Sequence, residues 1–378
     1  MDKDLFGRYF GGAPALTVPG RTFPVETYFL EHALQATRHT LNPSAEWAIG
    51  GARPKGKGKG VDTSDRESLD APKREDLTPL TIQTRYGSFN DNVQTTLARL
   101  EQDAVNYELL VQLLVGSTLP SFGKDGACEG RPSGVLVFMS GAKEIEQVQE
   151  LLWQTPEFCM PPARNWVLPL HGSLPTEDQK RVFERPPAGV RKIVIATNVA
   201  ETAITINDIG YVVDTCRMKE MRYDPIRCMS SLEDTVVSRT NARQRRGRAG
   251  RVAPGLCVHI GLTKYRHDTL VDDHQPPEVQ RTSLEHLILR IHAARLHEHD
   301  PSGKAAAICA RLLEPPNPLY VAKAVEQLVR LGALIVEPGT GRERLTALGS
   351  HLARLPLEAR LGKLVLYGTA FGPAATDA

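Results

Sequence analysis

The stretch RKIVIATNVAETAITI, residues 191–206, decides which fold the sequence predicts. It begins as a β-branched apolar run, which predicts a buried strand that ends at Ala196. Short polar side chains and backbone N–H groups follow where a helix can begin, at Thr197, Asn198, Glu201 and Thr202. Such a turn suits a phosphate oxygen, whether it comes from a nucleotide or from an RNA backbone.

Apolar runs of the same kind recur along the chain, at VLVFMS (135–140), VLPLHG (167–172), YVVDTC (211–216) and LCVHI (256–260). Segments with helical character lie between some of these runs, at KEIEQVQELLW (143–153) and TEDQKRVFE (176–184). Short apolar strands separated by helices indicate the α/β class, with a parallel sheet covered by helices on both faces. Ligands of such sheets bind beyond the carboxyl ends of the strands.

The composition is that of a globular protein with no membrane or secretion signal. The 378 residues allow two or three domains, and the net charge of +2 restricts any nucleic-acid surface to a local patch. Six cysteines are scattered without a CxxC pair, which argues against a zinc site or a disulfide framework and predicts no metal ligands. No apolar run suits a membrane span or a signal peptide, so the sequence predicts an intracellular protein, cytoplasmic or nuclear.

Two segments depart from the sheet pattern. Residues 52–78 are rich in Gly, Lys, Asp and Ser and nearly free of large apolar residues, which predicts a flexible insertion. From about Arg281 helix-like segments dominate, and LYVAKAVEQLVRLGALIV (319–336) runs into a strand-like end. Helices that lead into a small β-wing predict a winged-helix domain, and a small helical bundle is the alternative.

The stretch QRRGRAGR, Gln244 to Arg251, places four arginines and two glycines in eight residues. One interpretation is a solvated basic face or a nuclear-import signal, which would accept lysine equally well. The other is a polyphosphate site, because guanidinium groups bind phosphate in a bidentate manner. Arg248 and Arg251 are three residues apart, which on a helix places them on one face and favours the polyphosphate site.

Four motifs in order, FMSGAKEIEQ, LPLHGSLP, IATNVAETAITI and QRRGRAGR, resemble the second RecA-like lobe of the DEAH-box RNA helicases of superfamily 2. The resemblance implies a RecA-like parallel sheet followed by a small α-rich winged-helix domain. The implied domains are the entry to the lobe (1–51), the insertion (52–78), the lobe (79–265), the winged helix (266–355) and the start of a ratchet-like domain (356–378).

The resemblance also implies roles for residues at matching positions. The residues expected at ATP are Phe183, which would stack on adenine, Glu201, Asn207, Gln244, Arg248 and Arg251. Of these, Gln244, Arg248 and Arg251 are the expected catalytic residues, with the arginines acting as fingers. The residues expected on RNA backbone are His171, Gly172, Ser173, Thr197 and Asn198. The hairpin around Tyr223, Asp224 and Arg227 would separate strands or gate RNA entry.

Three departures from the family pattern bear on activity. Ala203 stands where the pattern usually has serine and Asn207 where it usually has aspartate, so we expect weaker nucleotide sensing. The Walker A loop and the DEAH box of the family's first lobe do not occur in this sequence. The nearest imitation, GARPKGKG (51–58), has Gly58 where serine or threonine should hold magnesium.

The resemblance therefore implies the C-terminal part of an ATP-dependent RNA helicase that moves 3′ to 5′ on RNA. It would use ATP with Mg²⁺ held by a first RecA-like lobe and would be inactive without that lobe. Its expected partners are that lobe, RNA that is single-stranded or has a single-stranded 3′ end, and an activator protein. A non-catalytic RNA-binding or regulatory short form and a DNA-directed motor are the alternatives.

Overall fold

The computed structural model describes residues 3–16, 20, 22–50, 73–116, 118–122, 133–202, 204–224 and 227–369. The chain forms two compact units. The larger unit holds residues 19–220 and 234–275, and the smaller holds residues 1–18, 221–233 and 276–378. This division differs from the predicted domains, because residues 1–18 and the tip of the predicted hairpin group with the C-terminal unit rather than with the lobe.

The larger unit is built on a six-stranded sheet in which every paired strand is parallel, in the order β1-β8-β5-β2-β4-β3. Its strands are β1 Val25–Phe29, β2 Gly134–Phe138, β3 Val167–Leu170, β4 Ile193–Ala196, β5 Ile209–Asp214 and β8 Gly255–His259. Two antiparallel pairs lie outside this sheet. They are β6 Arg217–Asp224 with β7 Met229–Val236, and β9 Leu334–Val336 with β10 Glu343–Leu345.

The α-helices of the described residues, in chain order, are α1 Lys3–Tyr9, α2 Leu30–Thr37, α3 Pro79–Tyr86, α4 Asp91–Arg99, α5 Tyr107–Leu114, α6 Ala142–Trp153, α7 Thr176–Lys180, α8 Val199–Thr202, α9 Arg239–Arg246, α10 Lys264–Thr269, α11 Glu278–Arg281, α12 Glu285–Ala293, α13 Ala305–Cys309, α14 Pro318–Arg330, α15 Ala347–Leu352 and α16 Ala359–Gly368. None of the helices in the described part of the chain has the length and apolar character that crossing a bilayer requires.

The sheet buries side chains on both faces, as the continuous apolar runs predicted. Along β2, Val135 and Val137 pack into one hydrophobic cluster, while Leu136 and Phe138 pack into another on the opposite face. Successive side chains of a strand point to opposite faces, so each face of the sheet has its own core. This confirms the predicted parallel sheet covered on both sides.

Most of the predicted insertion, residues 52–72, lies outside the described residues. Its C-terminal end does not follow the prediction, because residues 73–78 pack against the larger unit. Glu75 is buried and accepts hydrogen bonds from the hydroxyls of Tyr86 and Thr263. The carbonyl of Lys73 accepts one from Nε of Arg266. The composition of the segment concealed this, since one buried carboxylate with three partners, Tyr86, Thr263 and Arg85, orders the backbone around it.

The smaller unit has its own apolar core, contributed by α12, α13, α14, β9 and α15. Helices α12 to α14 lead into the antiparallel pair β9 and β10, and α15 begins after Thr346, whose hydroxyl accepts a hydrogen bond from N of Gly349. Three helices followed by a two-stranded wing match the predicted winged helix and not the helical bundle.

Candidate functional site

The residues expected on RNA come together at one edge of the sheet. Strands β3 and β4 are paired and parallel, with Leu170 opposite Ala196 at their carboxyl ends. Residues 171–173 follow the first strand and Thr197 and Asn198 follow the second, and N of Thr197 donates to O of Leu170 at 3.1 Å. Within the first turn, Nδ1 of His171 lies 2.8 Å from Oγ of Ser173. The two turns therefore present polar groups side by side beyond the strand ends, where ligands of parallel sheets bind.

The arginine stretch does not have the predicted geometry. Helix α9 ends at Arg246 with Gly247 as its C-cap, so Arg248 and Arg251 lie in the turns that follow and not on one helical face. The chain stays tightly wound there, because N of Arg248 donates to O of Arg245 and N of Gly250 donates to O of Gly247. The spacing of three residues between Arg248 and Arg251 does not indicate that the helix ends at Arg246, before both of them.

Gly250 is required by packing. An added Cβ would lie 2.6 Å from the carbonyl oxygen of Phe23 and 2.7 Å from Cγ2 of Val25. N of Phe23 also donates to O of Gly250 at 2.9 Å. The glycine therefore lets the segment leading into β1 approach the arginine turn directly.

Arg245 is a structural residue that the sequence analysis missed. Its side chain is fully buried, with Nε 3.1 Å from a carboxylate oxygen of Glu201 and Nη1 2.8 Å from Oδ1 of Asp214. Its guanidinium also lies 4.8 Å from the centre of the Phe138 ring. The sequence shows Glu201 and Asp214 near the ends of two apolar runs. It does not indicate which of the four arginines would pair with these carboxylates.

Glu201, which the resemblance places at ATP, makes its side-chain contacts within the protein. Its carboxylate is buried and accepts hydrogen bonds from Arg245 and from Nδ2 of Asn241, at 3.1 and 2.6 Å. Through these two contacts the carboxylate braces α8 against α9. Glu201 therefore positions Asn241 and Arg245 of α9.

Arg248 lies over the loop that follows α8. Its guanidinium donates to the carbonyl of Ile204 at 2.7 Å and to the carbonyl of Glu201, and the residue is only 7% exposed. Its buried Nε has no partner among the described residues. Burial and the nearby Arg251 charge lower the pKa of Arg248. Arg251 and Gln244 are exposed beside it, so this edge presents donors and positive charge that suit a polyphosphate.

Lys192 links two other predicted site residues and was also missed. Its fully buried Nζ donates to the carbonyls of Val182 and Glu184, both at 2.8 Å, and lies 2.7 Å from Oδ1 of Asp208. The two carbonyls flank Phe183, which is 53% exposed at the end of the short 3₁₀ turn Arg181–Phe183. One buried cation therefore ties the Phe183 turn to the Asn207–Asp208 turn.

These turns share one core. Residues adjacent to the predicted nucleotide ligands belong to a single apolar cluster on one face of the sheet: Val182, Ala200, Ile206 and Ala249. Phe183, Asn207 and Arg248 are therefore mounted around the same buried support, although they are far apart in sequence. Ala203, the departure beside them, lies outside the described residues.

The predicted hairpin is present as β6 and β7. At its tip Oδ1 of Asp224 accepts a hydrogen bond from N of Arg227 at 3.1 Å, and residues 225 and 226 lie outside the described residues. Burial, with Glu285 nearby, raises the pKa of Tyr223 to about 12. A cavity of about 690 Å³ adjoins this tip within the smaller unit. Its lining includes Tyr223, Arg281, Glu285, His286, Arg360 and Leu361.

Comparison with known proteins identifies two domains. Residues 108–253 match the helicase conserved C-terminal domain, and residues 324–357 match the helicase associated domain (HA2), winged-helix. These matches agree with the sheet of the larger unit and the wing of the smaller one.

Several relatives align with nearly the whole chain. It is 38% identical to DHX57 of Homo sapiens, an ATP-dependent RNA helicase by name, over 98% of this chain and 27% of that protein. It is 37% identical to the ATP-dependent DNA/RNA helicase DHX36 of Rattus norvegicus, over 98% of this chain and 34% of that protein. The chain thus spans about a quarter to a third of the length of these relatives.

A solved structure has the same fold. The crystal structure of the E. coli DExH-box NTPase HrpB aligns with 97% of this chain and 33% of its own chain, with a TM-score of 0.59 and 24% identity.

Proposed function

We propose that this chain is the part of a DEAH-box RNA helicase that carries the helicase conserved C-terminal domain and the winged helix, and that it completes the ATP site of that enzyme and binds RNA. The observation that carries this proposal is that Phe183, Asn207 and Arg248 adjoin one apolar cluster, on the sheet whose strand ends we expect to bind RNA. ATP hydrolysis would then change the contacts of this apolar cluster with the nucleotide residues and, through the sheet, with the RNA residues.

At the nucleotide, this chain would supply positive charge and a stacking surface. Arg248 is positioned by the carbonyls of Ile204 and Glu201, while Arg251 and Gln244 are free to turn toward a phosphate. Bound ATP would bring Mg²⁺, which neutralises phosphate charge and belongs to the first lobe in this family. An arginine finger in a phosphoryl-transfer enzyme is worth roughly 10³–10⁵ in rate. The exposed ring of Phe183 would stack on the base.

On RNA, the turns after β3 and β4 would hold the backbone. Thr197, Asn198 and residues 171–173 offer hydroxyl, amide and imidazole groups beyond the strand ends, which suit phosphate and ribose oxygens. The β6–β7 hairpin would separate strands during 3′-to-5′ movement. The name of DHX36, a DNA/RNA helicase, favours a second candidate in which DNA also activates the enzyme. Comparing ATPase stimulation by RNA and by DNA of one sequence separates the two.

The test is Arg248→Lys in a complete enzyme that joins this chain to a first RecA-like lobe. Lysine keeps the charge but loses the planar fork that two carbonyls now hold. We expect kcat to fall by about two orders of magnitude or more, in line with a lost finger, while RNA affinity at fixed salt changes less than about threefold.

Arg243→Lys, on the exposed side of α9, is the matched control and should leave both quantities near the native values. The chain alone should show no hydrolysis above background. If Arg248→Lys spared turnover and reduced RNA affinity strongly, the arginine turn would be an RNA-phosphate clamp, and the proposed facing would be wrong.

A further inference from the structure

Three potential metal ligands meet at the ends of two neighbouring strands. Asp214 ends β5, His259 ends β8, and the two residues are opposite each other in the register of the sheet. Cys216 lies two residues beyond Asp214. Within the described part of the chain, these three are the one group of His, Cys and acidic side chains whose ligand atoms have metal-binding spacing, and all are buried. The scattered cysteines had argued against a zinc site, but strand pairing joins residues 43 apart.

The distances suit a small tetrahedral cation. Sγ of Cys216 lies 3.5 Å from Nδ1 of His259, which lies 3.2 Å from Oδ2 of Asp214. With Zn–S, Zn–N and Zn–O bonds of about 2.3, 2.05 and 2.0 Å at tetrahedral angles, the expected S–N and N–O separations are about 3.6 and 3.3 Å. We propose that Asp214, Cys216 and His259 form a buried zinc-binding site.

The backbone at Cys216 directs its thiol toward His259. Its φ is +56°, in the left-handed region that a side chain other than glycine occupies at a cost. In that conformation the thiol sulfur is directed at His259, and N of Cys216 donates to Oδ1 of Asp214 at 2.8 Å. A metal–thiolate bond would add to the contacts that hold Cys216 in this conformation.

The surrounding groups complete the site. Nε2 of His259 lies 3.6 Å from Sγ of Cys257, which orients the ring, and Arg245 holds the other oxygen of Asp214. Glu201 and Asp214 bring two negative charges to this buried cluster and Arg245 brings one positive charge. A zinc ion with the Cys216 thiolate adds one net positive charge and balances them. A proton on His259 would balance them too, so the experiment must distinguish the metal from the proton.

The experiment uses the full 378-residue chain and two variants with the same substitution. Cys216→Gly removes a ligand at a position where glycine is favoured, so the fold should be kept. Cys228→Gly is the matched control, because Cys228 also has a positive φ, of 52°, but lies outside the trio. Each protein is refolded from urea under reducing conditions with zinc or with EDTA, since exchange at a buried site requires opening.

We expect about one zinc per chain by mass spectrometry in the native chain and in Cys228→Gly, and a higher Tm with zinc than with EDTA. The cobalt adducts of both should show a thiolate-to-metal charge-transfer band. In Cys216→Gly the zinc, the band and the Tm difference should all be lost. Absence of zinc from the native chain with identical melting in zinc and EDTA would overturn the proposal and assign the cluster to a protonated His259. Equal zinc in Cys216→Gly would overturn it as well.

Discussion

Lys192→Met should destabilise the larger unit more than any exposed charge change. The lysine is fully buried, and its Nζ donates to the carbonyls of Val182 and Glu184 and pairs with Asp208. Methionine has a similar length and keeps the apolar stem, but it removes the charge and every donor. The substitution therefore isolates the polar contacts from the packing of the side chain.

The magnitude follows from the partners that are left behind. Removing one member of a buried ion pair costs about 3–5 kcal/mol, and each buried carbonyl left without a donor costs about 1–3 kcal/mol. Asp208 keeps 22% of its side chain exposed, so water recovers part of the loss. We expect the free energy of unfolding to fall by about 5 kcal/mol, the lower end of this sum, which for a unit of this size corresponds to a drop in Tm of about 10–20 °C.

The assay is urea denaturation followed by tryptophan fluorescence. Trp47, Trp153 and Trp166 are the tryptophans of the sequence, and all lie in the larger unit, so the signal reports on that unit. Lys180→Met is the control. Its Nζ also pairs with a carboxylate, that of Glu177 at 3.0 Å, but the two side chains are 62% and 83% exposed. An exposed pair is worth about 0–1 kcal/mol.

If Lys192→Met lost less than about 1 kcal/mol relative to Lys180→Met, the buried contacts would not hold the two turns together. The contacts of Lys192 also bear on the binding of ATP. In a complete enzyme, Lys192→Met should raise KM for ATP more than it lowers kcat, because the Phe183 turn loses its anchor while the arginine turn keeps its own.

Further predictions concern pH and RNA. Burial raises the pKa of Glu31 from 4.5 to about 7. Between these values the folded chain holds a proton that the unfolded chain has released, so stability falls as pH rises, by about 3 kcal/mol between pH 5 and pH 8. Glu31→Gln should flatten this fall in urea denaturation at the two pH values, and an unchanged pH dependence would contradict the assignment. Thr197→Val in a complete enzyme should weaken RNA binding by fluorescence anisotropy and reduce RNA stimulation while sparing basal ATPase. Unchanged affinity at several salt concentrations would remove Thr197 from the RNA site.

Strands β2, β3, β4, β5 and β8 could be predicted from the sequence because nearly all of their residues are buried. The four quoted apolar runs overlap β2, β3, β5 and β8, and β4 lies within the opening stretch. The edge strand β1, Val25–Phe29, gave no such signal. Its sequence VETYF includes Glu26 and Thr27, and most of its residues are only partly buried. The other edge strand, β3, is mostly buried and apolar, so partial burial is what lets β1 carry polar side chains and resemble a loop in composition.

The geometry of the arginine stretch could not be predicted because it depends on contacts with segments that are distant in sequence. Its four arginines have the same charge and similar propensities, so neither pattern nor composition separates them. Their environments differ because other segments reach them. Arg245 meets Asp214 and Glu201 and is buried, whereas Arg251 meets solvent. Arg245 is the structural arginine because it contacts Glu201 and Asp214, which are both more than thirty positions away in the sequence.

The resulting arrangement explains why so many cations are held in one folded turn. Arg245, near the end of α9, neutralises the carboxylates of Glu201 in α8 and Asp214 in β5. Arg248 is itself largely buried, lies over the loop after α8 and donates to two carbonyls, which carry no net charge. Because the carboxylates are already paired with Arg245, Arg248 and the exposed Arg251 keep their positive charge. The proposed function depends on this division: the pairing of Arg245 would leave the other two arginines available to a phosphate.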